Sequence, residues 1–217
     1  MQSLRATSLL AGVFATAIVL AAMLAAGSAR ANEQADTDFA KRFFAGAIGK
    51  PKAYACFARR YDTAHMAEHP LQKVTVMRLL ITAEKTPDDT YLDYSFRLGF
   101  NFRDQPGDFD SSGECGHAPP VRNADTDPMP AAGIDFQCDV DCDGGGISVN
   151  LANNDNSLIA KLDRIRIWKS TDPDGAAPRG LQGGADDKIF RLDRTSLDEC
   201  KSLVTDRKEL AAMRHKK

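Results

Sequence analysis

Residues Ile134–Asp143 read IDFQCDVDCD, and every second one is apolar or cysteine. An extended strand turns successive side chains to opposite faces. Ile134, Phe136, Cys138, Val140 and Cys142 then share one face, and Asp135, Gln137, Asp139, Asp141 and Asp143 share the other. One face suits a core that includes cysteine and the other suits water, which is the pattern of an antiparallel sheet.

Working outward, the same alternation is strictest in Tyr91–Arg103. There Leu92, Tyr94, Phe96, Leu98, Phe100 and Phe102 interleave with Asp93, Ser95, Arg97, Gly99, Asn101 and Arg103. Tyr54–Tyr61, Val74–Ala83, Ile147–Ala152, Leu158–Trp168 and Ile189–Leu192 are further predicted strands, and Thr63–His69 is a helical turn closed by Pro70. Within Leu158–Trp168 the apolar phase shifts from Leu158, Ala160 and Leu162 to Ile165 and Ile167, which predicts a bulge near Arg164. Residues 104–133 and 170–187 read as long loops, the first with a short strand around Cys115.

The chain closes with a predicted helix over 196–214. Ser196 and Glu199 form a capping-box pair, and Leu197, Cys200, Leu203, Val204, Leu210 and Met213 make the apolar stripe. The fold expected is mainly β: an antiparallel β-barrel or strongly curled meander sheet of about seven or eight strands with a C-terminal α-helix, stapled by disulfides. A β-sandwich is the alternative, and the long strands favour the barrel.

At the other end, Arg5 precedes an uncharged apolar run from Leu9 to Ala26, followed by Gly27-Ser28-Ala29-Arg30-Ala31. A positive start, an apolar stretch and a small-residue exit predict a signal peptide over 1–31. If it stays uncleaved, the run just reaches membrane-spanning length, and it is the membrane contact expected. Residues 32–52 read as a polar arm with a short helix from Asp38 to Ile48, and 53–217 as one β domain. Cleavage after Ala31 removes two arginines and no acid, taking the formal net charge from −2 to −4. Such mild acidity argues against a nucleic-acid partner, which needs a basic surface.

All five cysteines, Cys56, Cys115, Cys138, Cys142 and Cys200, lie beyond the signal segment. In a periplasmic or secreted protein they predict two disulfides and one odd thiol. If Ile134–Asp143 is extended, Cys138 and Cys142 lie about 13 Å apart, beyond the roughly 7 Å that a disulfide spans. They are therefore expected to bond to different partners, with Cys200 joining the helix to the sheet.

Two strings carry metal chemistry. Asp139-Val140-Asp141-Cys142-Asp143-Gly144 has the alternating oxygen donors and sixth-position glycine of a calcium loop. Its second half departs from that pattern, since Asn150 stands where the bidentate glutamate belongs. Along a straight strand Asp139, Asp141 and Asp143 cannot converge on one ion, so calcium binding requires the chain to curl. His65-Met66-Ala67-Glu68-His69 resembles the H-x-x-E-H zinc string of the inverzincin metalloproteases. The resemblance covers five residues; a zinc hydrolase built on it would need His65, Glu68 and His69 to hold the metal. Lys161, Arg164, Arg166 and Lys169 around Trp168 form a basic patch suited to an acidic partner or, more simply, the solvent face of a strand.

No nucleophile motif and no phosphate-binding glycine loop is present, and no catalytic residue is assigned. The function expected is an exported, non-enzymatic binding or inhibitor-like β-barrel whose partner is a small molecule or an envelope protein. The two long loops are placed around the barrel mouth, the usual position of a ligand. The alternatives are a metal-binding protein or zinc hydrolase, and an envelope structural protein that docks through Phe39, Phe43 and Phe44 of the arm.

Overall fold

A computed structural model describes residues 38–46, 51–85, 92–117, 136–172, 179–184 and 186–214. The expected signal segment, with Ile134 and Asp135, lies outside them. The elements are α1 (residues 38–43), β1 (Lys52–Arg60), α2 (Thr63–Glu68), β2 (Val74–Lys85), β3 (Leu92–Phe102), β4 (Phe109–His117), β5 (Phe136–Asp139) and β6 (Gly145–Ala152). They continue with β7 (Ser157–Lys169), β8 (Arg179–Gln182), β9 (Ile189–Thr195), a 3-10 helix (Leu197–Leu203) and α3 (Arg207–Arg214).

The strands follow the order β6-β5-β4-β3-β2-β1-β9-β7-β8, every pair is antiparallel, and β6 also pairs with β7. That last pairing closes the sheet into an eight-stranded barrel with β8 outside the ring. The β5–β6 hairpin is a wedge: beyond its tip β4 meets β7 directly, Phe109 opposite Lys169 and Asp110 opposite Trp168. The bulge expected near Arg164 is present. The register with β6 passes from Gly146–Arg164 to Ile147–Leu162, leaving Asp163 as the extra residue.

Two expected loops contain strands. The short strand expected around Cys115 is present and longer: FDSSGECGH (β4) has little apolar content, yet it pairs with β3 over Phe109–Cys115 and with β5 over Glu114–His117. β8 occupies four residues of the expected 170–187 loop and pairs with β7. The opening stretch is shorter as a strand than its alternation implies. β5 stops at Asp139, and Cys142 and Asp143 turn into the left-handed region at φ 56° and 59°.

The barrel is filled. Phe57, Met77, Leu79, Ile81, Phe96, Leu98, Phe100, Phe136 and Phe190 are fully or almost fully buried within one continuous core. α1 contributes Phe39, Ala40, Phe43 and Phe44 to it. The Phe39 ring lies 4.8 Å from Phe136 and 5.7 Å from Tyr94, and Phe43 lies 5.5 Å from Phe57. Residues 38–44 are therefore part of the barrel core, and Phe39, Phe43 and Phe44 are buried rather than displayed. A six-residue helix has little stability of its own; burial and a polar anchor hold it. Arg194 donates to the Phe43 and Arg42 carbonyls at 2.7 and 3.2 Å, with its guanidinium 4.6 Å from the Phe57 ring. Arg42 reaches Asp155 through two hydrogen bonds of 3.0 and 2.7 Å.

A second, smaller core lies outside the wall. Leu203, Val204 and Met213 pack with Tyr54, Cys56, Leu80 and Cys200. Leu203 sits on Gly99, where a Cβ would meet its Cδ2 at 2.6 Å, so β3 needs glycine on its outer face there. The C-terminal segment is two pieces rather than one helix. Ser196 makes no side-chain cap, whereas Asp206 Oδ1 accepts the Glu209 N–H at 2.7 Å and starts α3. Cys200 must meet Cys56 on β1, and the 3-10 turn that delivers it breaks the helix.

Glu209 locks α3 down. Arg97 donates to it twice, at 3.2 and 3.0 Å, and Lys52 Nζ stands 3.5 Å away. Burial opposes ionisation, but the Arg97 hydrogen bonds and the charges of Arg97 and Lys52 outweigh it and hold the carboxyl below its ordinary value. Folding thus favours ionised Glu209. Its stabilisation is full above the ordinary glutamate pKa and is lost as pH falls through the depressed folded value. Glu209→Gln is expected to lower the urea midpoint at neutral pH, with the gap from the parent narrowing in acid. A gap independent of pH would refute this.

Candidate interaction surface

The disulfides are Cys56–Cys200, between the barrel wall and the C-terminal segment, and Cys115–Cys138, between directly opposed residues of β4 and β5. Two disulfides are the mark of an oxidising, non-cytoplasmic compartment. Cys142 is the free thiol and is exposed. It does not tie the strand to another element, because the turn has carried it off the Cys138 face. No helix among the described residues is long and apolar enough to cross a membrane.

The chain does curl at Asp139-Val140-Asp141-Cys142-Asp143. Asp139 Oδ1 accepts the Gln137 amide at 3.1 Å. Arg164 donates to the Asp143 carbonyl at 2.7 Å and Arg166 to that of Cys142 at 2.9 Å, so β7 clamps the turn through its backbone.

The histidine string is a short helix with structural duties. Asp62 caps it by accepting the His65 N–H at 2.8 Å. The His65 ring stacks between Tyr61 (4.7 Å) and His69 (4.3 Å). Gln72 Nε2 donates to the Val74 carbonyl at 2.7 Å, which turns Gln72 Oε1 toward His65 Nε2 at 3.0 Å and makes that nitrogen a donor. His69 Nδ1 lies 3.9 Å from Asp186 Oδ1, and Glu68 is exposed. Among the described residues, no three His, Cys, Asp or Glu side chains form a set that could hold a metal. Neither His65, Glu68 and His69, where zinc was expected, nor Asp139, Asp141 and Asp143, where calcium was expected, come together as such a set. His65 Nε2 is spent on Gln72, and the aspartate turn is closed by arginines.

α2 is strapped across one barrel end. Arg103 donates to the carbonyls of Met66, His69 and Pro70 at 2.7, 3.2 and 3.3 Å. Asp186 Oδ2 accepts the Leu71 N–H at 3.1 Å, and buried Asp187 accepts those of Lys73 and Val74 at 2.7 and 3.2 Å. The aspartate pair therefore seals the seam between the β8–β9 turn and the start of β2. Burial, ahead of the neighbouring charges, pushes the Tyr61 phenol up to about 12. The described parts of the two expected loops meet: Arg179 donates to Gln105 Oε1 at 2.7 Å, and Ser170 N–H to the Asp108 carbonyl at 2.9 Å. The 103–108 connection leaves β3 near α2, whereas β4 ends and β5 begins at the α1 end.

Among the described residues, the outside of β7, β8 and β9 stands open. Leu158, Ala160, Leu162, Ile165 and Ile167 of β7 point inward, so Lys161, Arg164 and Arg166 point out. β8 places Gly180 and Gln182 beside Arg166 and Arg164 on this face, and β9 adds Ile189 and Arg191. Ile189 and Leu71, 53% and 64% exposed, are the large hydrophobic residues left open to water among the described residues, and both flank the Asp186–Asp187 turn. The basic pattern was legible in the sequence. Its neighbour β8 was not, because four residues of Arg, Gly, Leu and Gln carry no strand signal. No family model, curated protein or solved structure matches this chain.

Proposed function

We propose that this chain is an exported, periplasmic binding protein without enzymatic turnover, and that it engages a protein partner through the outside of its barrel. The observation that carries the reading is the filled interior. Wall side chains and the phenylalanines of α1 occupy the space where a barrel of this size would hold one small ligand. Two disulfides suit export, and the open outer face combines charge with exposed apolar side chains.

Native mass spectrometry of protein exported to a periplasm, set against its denatured spectrum, tests this. Equal masses are expected. A retained small molecule would overturn the exterior reading, and a stoichiometric metal would restore the metal-binding one.

A further inference from the structure

We propose that the free edge of β8 and the start of β9 is a strand-addition site for an extended, acidic segment of a partner protein. The proposal rests on the exterior-binding reading above and names the partner's chemistry.

Hydrogen-bond alternation sets which backbone groups are available. In an antiparallel pair, residues bond to the neighbouring strand at every second position. Gly183 N–H donates to the Asp163 carbonyl at 2.8 Å, in register with the β7–β8 ladder. Gly183, Leu181 and Arg179 thus face β7, and Gly180 and Gln182 turn their N–H and C=O groups away from it. On β9, Leu162 N–H donates to the Lys188 carbonyl at 2.8 Å. Lys188, Phe190 and Leu192 therefore face β7, while Ile189 and Arg191 face the other way. β1 takes up that side only at Asp193–Thr195, opposite Ala58–Cys56. At Gly180, Gln182, Ile189 and Arg191 these outward backbone groups have no backbone partner among the described residues. Side chains leave the edge open as well: Arg179, Gly180 and Gln182 are exposed, and a Cβ on Gly180 would meet nothing within 4 Å. Glycine on an edge admits the close approach of another backbone.

Charge selects the occupant. Arg179, Lys188 and Arg191 are exposed along the edge, Arg179 also donating to Gln105 Oε1 at 2.7 Å, and Arg164 and Arg166 stand on β7's outer face. The acids facing them are few. Asp163 is in the bulge, and Asp193 is shared between Arg59 at 2.8 Å and Arg191 at 3.4 Å. Asp186 Oδ2 and both oxygens of Asp187 are spent on backbone N–H groups, with Asp186 Oδ1 turned toward His69. Self-pairing of two copies would set these cations against one another, which is how edge strands resist aggregation. An acidic strand meets the same cations favourably, and Ile189 with Leu71 offers an apolar footing. Strand addition supplies affinity through the main chain and specificity through alternate side chains.

The test uses the full mature protein and a peptide of alternating glutamate and valine, about eight residues long to match a common strand. A lysine–valine peptide of equal length is the control. The acidic peptide is expected to bind at least about tenfold more tightly than the basic one, and to weaken as salt rises. Amide exchange should slow at Gly180, Gln182, Ile189 and Arg191, and not at Leu181. Gly180→Pro removes an outward N–H while sparing the β7 ladder, so it should cost at least about tenfold in affinity with the melting temperature preserved. If that variant unfolds, Lys188→Glu with Arg191→Glu should give the same loss. No binding at millimolar peptide, protection elsewhere, equal affinity for both peptides, or dimerisation that protects the same amides without peptide would overturn the proposal. Failure of the peptide with equal native and denatured masses sinks the edge site alone. A small molecule retained in the native spectrum sinks the exterior reading itself.

Discussion

Phe43→Ala is expected to destabilise the protein by about 3–5 kcal/mol, the cost of truncating a fully buried phenylalanine. Phe43 is 0% exposed, and its ring lies within 5.8 Å of Phe39, Phe44, Phe57 and Phe136. α1 is too short to hold itself, so the cavity should also free Phe39 and loosen the Arg194 anchor. Urea unfolding followed by tryptophan fluorescence and circular dichroism measures the loss. A change below about 1 kcal/mol, the range of ordinary surface substitutions and mild core ones, would mean that α1 is not part of the folded core. Deleting residues 32–52 should be more damaging still. It removes all three phenylalanines, and with Lys52 a partner of both Glu84 and Glu209.

Replacing Cys56 and Cys200 together by alanine is expected to cost about 2–5 kcal/mol. The bond closes a separation of 144 residues. It also holds the C-terminal segment over Tyr54 and Leu80, so its loss should expose the outer core before the barrel opens. Amide exchange would then accelerate first in residues 197–214. Cys142→Ala is the control and should change stability by less than about 0.5 kcal/mol, because that thiol is exposed and unbonded. Equal losses from both variants would show that the effect is not that of the crosslink.

The contrast between Cys138 and Cys142 shows how far the sequence could be read. Both occupy the apolar phase of IDFQCDVDCD, and alternation alone treats them alike. Pairing with β6 ends at Asp139, followed by one more bond, Val140 N–H to the Gly145 carbonyl at 2.8 Å; beyond it the wedge-shaped hairpin must turn, and Arg164 and Arg166 draw the turn onto β7. Those arginines lie more than twenty residues downstream, so no local pattern could announce them. β4 was legible only as a short strand around Cys115, for the opposite reason. Its serines and glycines have poor strand character, and two flanking strands override that preference.

The candidate surface was legible in part. Lys161, Arg164 and Arg166 stand out as a basic strand face, and their period is a local property. That this face adjoins an open edge depends on β9 leaving β1 after three paired residues and on Asp187 sealing the seam behind it. The H-x-x-E-H string was legible as letters, but the contacts of its first histidine were not, because Gln72 and Tyr61 hold His65 from outside the motif.

By itself the sequence determined what repeats at short range: the long strands, the bulge on β7, the presence of two disulfides with one odd thiol, and an apolar C-terminal stripe. These follow from side-chain alternation and from counting. Tertiary structure alone decided which cysteines pair, that α1 enters the barrel, that the terminal helix breaks at Asp206, and which strand edge stays open. Each depends on contacts between residues far apart in the chain, whose free energy exists only once the ring has closed.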